Sequence, residues 1–344
     1  MNQRPNLAIV GATGAVGTTA LSILSQRAEL WGEIRPIASA KSAGKKISFK
    51  GKDLTVVALS IDSFEGIDIA IFDVPDEVSL YWAPIAASLG VTVIDNSAAF
   101  RMDQQVPLVV PEVNLQTAFI RPKGIIANPN CTTLAMMLVI SALNKKYELI
   151  DLVVASYQAA SGAGKSGLDT LERELQNNLS PSKSLDSLSL STSPFPTQLA
   201  LNVIPWAGSL KEEGYSSEEM KVRFETRKIL NLPNLPVAVT CVRVPVYTTH
   251  SLAIHAQFNK PVDRTQAQNL LASTPGVKLY DDPIENKFPT PLLANSTDDT
   301  WVGRIRSSLD NPQALELFVS GDNLRKGAAL NAIQIAELII KKPA

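Results

Sequence analysis

The run Leu7-Ala8-Ile9-Val10, followed at once by Gly11-Ala12-Thr13-Gly14-Ala15-Val16-Gly17, constrains this chain more than any other feature. The apolar run reads as a short buried strand and residues 16–25 as a helix, which places the glycines in the turn between them. Glycine lets backbone approach a pyrophosphate closely, while a helix N-terminus offers N–H groups and partial positive charge to an anion. In this context the spacing predicts a dinucleotide-binding turn, with Gly11, Thr13, Gly14, Ala15 and Val16 against the cofactor. An ordinary tight turn is the alternative reading.

A second strand over 34–38 should end beside the adenosine ribose. An acidic residue there would hold the 2′-hydroxyl of NAD, but the chain reads Ser39-Ala40-Lys41-Ser42, with Lys45 and Lys46 following. Hydroxyls and ammonium groups suit a 2′-phosphate, so NADP is the expected cofactor, held by Ser39, Lys41 and Ser42. A solvated basic loop is the competing reading.

Further strand-like runs at 54–58, 67–72, 91–95 and 124–127, with helical text at 84–89, imply an α/β fold of Rossmann type, a doubly wound parallel sheet. Past residue 131 the pattern changes. A helix over 132–145 leads to candidate strands at 151–158, 237–246, 251–258 and 315–320, an α+β second domain with a mixed or antiparallel sheet and fewer helices. The expected division is 1–130 and 131–321, with a C-terminal helix, 322–344, packing back on the first domain. Residues 177–198 are rich in Ser and Pro and read as a long surface excursion.

A chain of 344 residues has room for two such domains, and 45% apolar with 19% charged residues is the balance of a globular enzyme. The net charge of -1 and the lack of a basic run argue against a nucleic-acid or membrane partner. No secretory signal is visible at the start, and the longest apolar stretch, 134–143, is too short to cross a bilayer. Two cysteines in unlike contexts, Cys131 and Cys241, make a disulfide framework improbable, so a reducing cytoplasm is expected.

Asn128-Pro129-Asn130-Cys131 precedes the apolar helix, so Cys131 should lie in its first turn, where local positive potential favours thiolate. A thiolate attacks carbonyls and acyl phosphates. Cys241, inside an alternating strand, reads as a core residue instead. The only imidazoles, His250 and His255, stand five residues apart on one strand and face opposite ways, so only one can meet the cysteine. His250 at the strand entrance is the better placed, with His255 as the alternative. Gly162-Ala163-Gly164-Lys165-Ser166 imitates the end of a phosphate-binding loop, but the required leading glycine is Ala159. No metal ligand set is expected.

In order along the chain, GATGAVG, ASAKSAGKK, VIDNSAAFRM, PLVVPEVN, ANPNCTT, YQAASGAGKSG, EEMK, RVPVYTTHS, VGRIR and DNLRKGAALNA resemble the aspartate-semialdehyde dehydrogenase family. The resemblance implies NADP-dependent interconversion of L-aspartyl-4-phosphate and L-aspartate-4-semialdehyde, in lysine, methionine, threonine and isoleucine biosynthesis. It implies Cys131 as nucleophile, His250 as acid/base, and Gln158 as the residue orienting the thioester. Arg243 would bind the substrate carboxylate, Glu218 its amino group, and Lys221 and Arg101 phosphate, with Asn130 also at the substrate. Ser161, Gly162 and Asn323 would lie near the cofactor. Residues 1–130 become an NADP-binding domain and 131–321 a catalytic and dimerisation domain of a homodimer. N-acetyl-γ-glutamyl-phosphate reductase shares this chemistry, but Glu218 awaiting an ammonium argues against it; a non-catalytic dinucleotide-binding relative would lack Cys131 or His250. One departure stands out: after the strand ending at residue 72 the family has a small Ser/Gly-rich loop, and this chain has Asp73-Val74-Pro75-Asp76-Glu77.

Overall fold

The computed structural model describes residues 4–178 and 193–341. The chain forms two compact units: residues 1–130, 228–230 and 327–344 in one, and 131–227 and 231–326 in the other. The later division thus falls after Lys326, not after residue 321.

The first unit is built on strand β1 (Leu7–Val10), helix α1 (Ala15–Ser25) and strand β2 (Ile34–Ala38). A hairpin of β3 (Lys46–Phe49) and β4 (Lys52–Thr55) precedes β5 (Val57–Ala58). Then come β6 (Ile69–Phe72), α2 (Asp76–Ser88), β7 (Thr92–Asp95), the short α3 (Pro111–Asn114) and β8 (Ile125–Ala127). The main sheet runs β5-β2-β1-β6-β7-β8 and every pairing in it is parallel. Strands β1 and β6 are buried along their whole length, as a parallel sheet covered on both faces requires. The C-terminal helix α9 (Leu330–Lys341) joins this core, its Ile333 and Ala336 in one apolar cluster with Leu7, Leu21, Leu24 and Ile71.

Two readings of the sequence change here. The expected strand 54–58 is split, because Lys52–Thr55 pairs in the hairpin while Val57–Ala58 joins the main sheet. The helix expected at 84–89 begins at Asp76, with Pro84 inside it and Pro75 at its N-cap. Pro84 reads as a helix start in the sequence, but the acidic pair Asp76 and Glu77 in the first turn is the better complement to the helix dipole.

The second unit opens with α4 (Cys131–Tyr147), β9 (Leu149–Gln158), α5 (Gly164–Asn178), α6 (Ser217–Leu230, of which 228–230 are counted with the first unit), β10 (Val237–Arg243) and β11 (His250–Phe258). It continues with α7 (Arg264–Ala272), β12 (Val277–Leu279), the short α8 (Pro291–Ala294), β13 (Thr300–Ser307) and β14 (Ala314–Gly321). The sheet order is β10-β9-β11-β14-β13-β12. It is mixed: β9 and β10 are parallel, as are β12 and β13, while β9, β11, β14 and β13 are successively antiparallel. Helix α4 packs on β11, β14 and β13 and covers one face. On the other face Val153 and Tyr157 stay exposed. This unit holds more helix than its sequence suggests, and β12 and β13 escape a pattern search, β13 because its register shifts between Gly303 and Arg306. Most of the Ser/Pro-rich stretch 177–198 lies outside the described residues. Among the described residues no helix is long and apolar enough to cross a membrane.

Candidate active site

Three strand or helix ends in the second unit converge on one group. Cys131 is the first residue of α4, His250 the first of β11, and Gln158 the last of β9. Cys131 Sγ lies 3.2 Å from His250 Nε2. The backbone N–H of Ala159 donates to His250 Nδ1 at 3.0 Å. A ring whose Nδ1 accepts must, when neutral, carry its hydrogen on Nε2, so that hydrogen faces the sulfur. His250 is fully buried, and burial together with the nearby Arg243 charge lowers its pKa from 6.5 to about 3, against the opposing pull of Glu218. The imidazole is therefore neutral near pH 7. Its approach to the strand is strained: Thr249, buried just before it, has φ 79°, held by its N–H donating to Asn323 Oδ1 at 2.8 Å. A β-branched residue pays about 1–2 kcal/mol for that conformation.

The same residue, Ala159, also fixes Arg243. Arg243 Nη1 donates to Ala159 O at 2.7 Å, and its guanidinium lies 5.8 Å from the Phe195 ring. Burial lowers the Arg243 pKa, while Glu218 and Cys131 raise it. Gly162 closes over the pair: a Cβ there would stand 2.5 Å from Arg243 Nη1 and 3.2 Å from His250 Nε2. Gly162 thus lies against the histidine and the arginine. Ser161 Oγ donates to Asn323 Oδ1 at 3.0 Å.

Gln158 Nε2 donates to Thr132 Oγ1 and, at 3.2 Å, to Glu218 Oε1. Its Oε1 is buried with no hydrogen-bond partner. Glu218 Oε2 meets Lys221 Nζ at 3.4 Å across one turn of α6. Cys241 is fully buried and burial raises its pKa far above the usual thiol range, which suits a core residue. His255, on the opposite face of β11, is half-exposed and pairs with Glu316 at 3.2 Å. Lys165 of the false phosphate loop makes an exposed ion pair with Asp169 at 2.7 Å.

In the first unit, the glycine turn is a cradle that side chains would fill. A Cβ at Gly11 would lie 2.0 Å from Asp73 O, and one at Gly17 2.3 Å from Gly11 O. Gly11 has φ 95°, in the region glycine alone adopts freely. Gly14 is the N-cap of α1 and brings no side chain to it. Ser39 and Lys41 are exposed and Ser42 is buried, on the turn that follows β2. Arg101 is buried; its Nε donates to Asn128 O at 2.9 Å and Nη2 to Asn96 O. Asn130 is buried directly before Cys131. Sequence reasoning missed Thr132 and Ala159. Thr132 could have been found from its place beside Cys131; Ala159 works through its backbone, which leaves no signal in its side chain.

Residues 6–119 match the family model "Semialdehyde dehydrogenase, NAD binding domain", and residues 140–326 match "Semialdehyde dehydrogenase, dimerisation domain". The aspartate-semialdehyde dehydrogenase of Corynebacterium glutamicum is 45% identical over 97% of this chain and 99% of its own. That of Bacillus subtilis is 42% identical over 99% of both. The crystal structure of aspartate semialdehyde dehydrogenase II from Vibrio cholerae, complexed with ASA, has a TM-score of 0.93 and 39% identity, covering 100% of both chains. The matched models thus define the class, a semialdehyde dehydrogenase with an NAD-binding domain and a dimerisation domain. With full-length identity above 40% to curated members, the chain belongs to the aspartate-semialdehyde dehydrogenase family.

Proposed function

We propose that this protein interconverts L-aspartyl-4-phosphate and L-aspartate-4-semialdehyde with NADP, through a thioester on Cys131, in the cytoplasmic synthesis of lysine, methionine, threonine and isoleucine. The observation that carries the reading is Cys131 Sγ at 3.2 Å from His250 Nε2, with the ring's other nitrogen already taken. Helix start and imidazole N–H both favour sulfur as the anion, the form that attacks an acyl phosphate.

In the reductive direction Cys131 attacks the acyl carbon and phosphate leaves toward Lys221 and Arg101. The planar fork of Arg243 holds the substrate carboxylate, and Glu218 its ammonium group. Asn130 completes the substrate contacts. Bound NADPH supplies the hydride that reduces the thioester. His250 Nε2–H then stabilises the tetrahedral oxyanion, and collapse to the aldehyde returns the sulfur as thiolate to the same N–H donor. Gln158 orients the thioester carbonyl, and its unpartnered Oε1 is free to accept from substrate. Asn323 uses its oxygen on Ser161 and Thr249, so its –NH2 is the end suited to the nicotinamide carboxamide, with Ser161 and Gly162 beside it. The cradle formed by Gly11, Thr13, Gly14, Ala15 and Val16 fits the cofactor diphosphate, and Ser39, Lys41 and Ser42 suit a 2′-phosphate.

The open face of the second sheet is the proposed homodimer interface. Val153 and Tyr157 are exposed there and Phe318 partly so, with the Tyr157 and Phe318 rings 6.0 Å apart. The function is tested by NADPH oxidation with enzymatically generated aspartyl phosphate, run beside NADH and beside N-acetyl-γ-glutamyl phosphate. Turnover confined to aspartyl phosphate with NADPH is expected; preference for the other acyl phosphate would overturn the substrate, and equal use of NADH the cofactor.

A further inference from the structure

The order β5-β2-β1-β6-β7-β8 switches direction between β1 and β6, and open parallel sheets bind ligands beyond the carboxyl ends of the strands flanking such a point. Gly11 follows β1 there and Asp73 follows β6. The Asp73 N–H donates to Val10 O at 2.8 Å, which seats it against the glycine turn. Its carboxyl reaches the start of α1: Oδ2 lies 3.6 Å from where a Gly14 Cβ would be. A carboxylate thus stands on the ground where the dinucleotide diphosphate would meet the helix N-terminus.

We propose that Asp73 sets the affinity for the dinucleotide, because its anion opposes the diphosphate, so that binding is accompanied by a proton on its carboxyl. This rests on the reading of the glycine turn as the cofactor site. Without ligand the helix dipole favours the carboxylate, which serves as an internal counter-ion. The surrounding charges work the other way. The glycine turn brings no charged side chain, α2 brings Asp76 and Glu77, and the end of β7 brings Asp95, with Arg101 acting on Asp95. Asp76 is engaged, its Oδ1 accepting from Ala98 N at 2.8 Å. Burial first, and Asp95 after it, raise the Asp73 pKa from 3.8 to about 6. Asn96 pulls in the opposite direction, although its amide makes no hydrogen bond of normal geometry. A diphosphate beside this group adds a push of the same sign as Asp95. Affinity is then greatest at low pH and falls as pH rises, by up to tenfold per unit while the complex keeps a proton that the free protein has lost.

The test is a fluorescence titration of NADPH against the full-length protein and its Asp73→Asn and Asp73→Ser variants, with Glu77→Gln as control, from about pH 6 to about pH 8.5. The 2′-phosphate of NADPH itself titrates at roughly pH 6, so the readout is the ratio of Kd values between proteins at each pH. Both Asp73 variants should bind about tenfold more tightly than wild type at the alkaline end, with the ratio approaching unity at the acid end and Glu77→Gln following wild type. Variants that bind equally tightly at every pH, or less tightly as loss of a ribose-binding carboxylate would give, overturn the proposal and leave the glycine turn as the cofactor site. Failure of wild type to bind NADPH at any pH overturns both.

Discussion

A single residue, Ala159, positions two side chains at once, its N–H donating to the neutral His250 ring and its carbonyl accepting from Arg243. Because that arrangement leaves no spare volume, Gly162→Ala should lower kcat by about a hundredfold, the usual cost of displacing a reacting group by about an ångström. An unchanged kcat would show that Arg243 yields freely. The state of His250 can be read from stability. Its pKa is depressed from 6.5 to about 3, so on acidification the unfolded chain takes up the proton first. The stability it contributes is complete above about pH 6.5 and is lost as pH falls from there toward 3. Wild type should therefore lose more Tm than His250→Gln between about pH 7 and about pH 5 in differential scanning calorimetry, and equal losses would mean an ordinary imidazole. Residue identities of this kind were legible because chemistry names them: a thiol at a helix start and a histidine at a strand entrance. Ala159 was not legible, since a backbone amide carries no distinguishing pattern, whereas Thr132 is marked in the sequence only by its place next to Cys131.

At the scale of elements, the strand, turn and helix made by β1, residues 11–14 and α1 depend on two near contacts of backbone with backbone. Gly17→Ala would place a methyl 2.3 Å from Gly11 O, a clash that no rotamer relieves. Such overpacking should destabilise the first unit by about 1–3 kcal/mol and weaken NADPH binding, measured by urea denaturation and fluorescence titration. A variant of wild-type stability would show that α1 can shift along its axis. The buried parallel strands were readable as unbroken apolar runs. The hairpin of β3 and β4 was not, because its strands bury no residue fully and are too polar to separate from loop. Helix α2 was read short for a different reason: Pro84 sits within it, where a sequence rule expects a boundary.

At the scale of the whole molecule, the second sheet leaves apolar side chains on its open face, where Val153 is 44% exposed. Val153→Arg should turn the proposed dimer into a monomer at about micromolar concentration in mass photometry, since an unpaired buried charge costs several kcal/mol. An unchanged mass would place the interface elsewhere. No sequence pattern marks this face, because an alternating strand looks the same whether its second face meets water or another subunit. In the proposed reaction Cys131 carries the acyl group. Mixing enzyme with aspartate semialdehyde and NADP in the absence of phosphate should release a burst of one equivalent of NADPH per active chain and leave an aspartyl group on the Cys131 peptide by mass spectrometry. A Cys131→Ser protein that gives the same burst, or a wild-type burst with Cys131 unmodified, would contradict it.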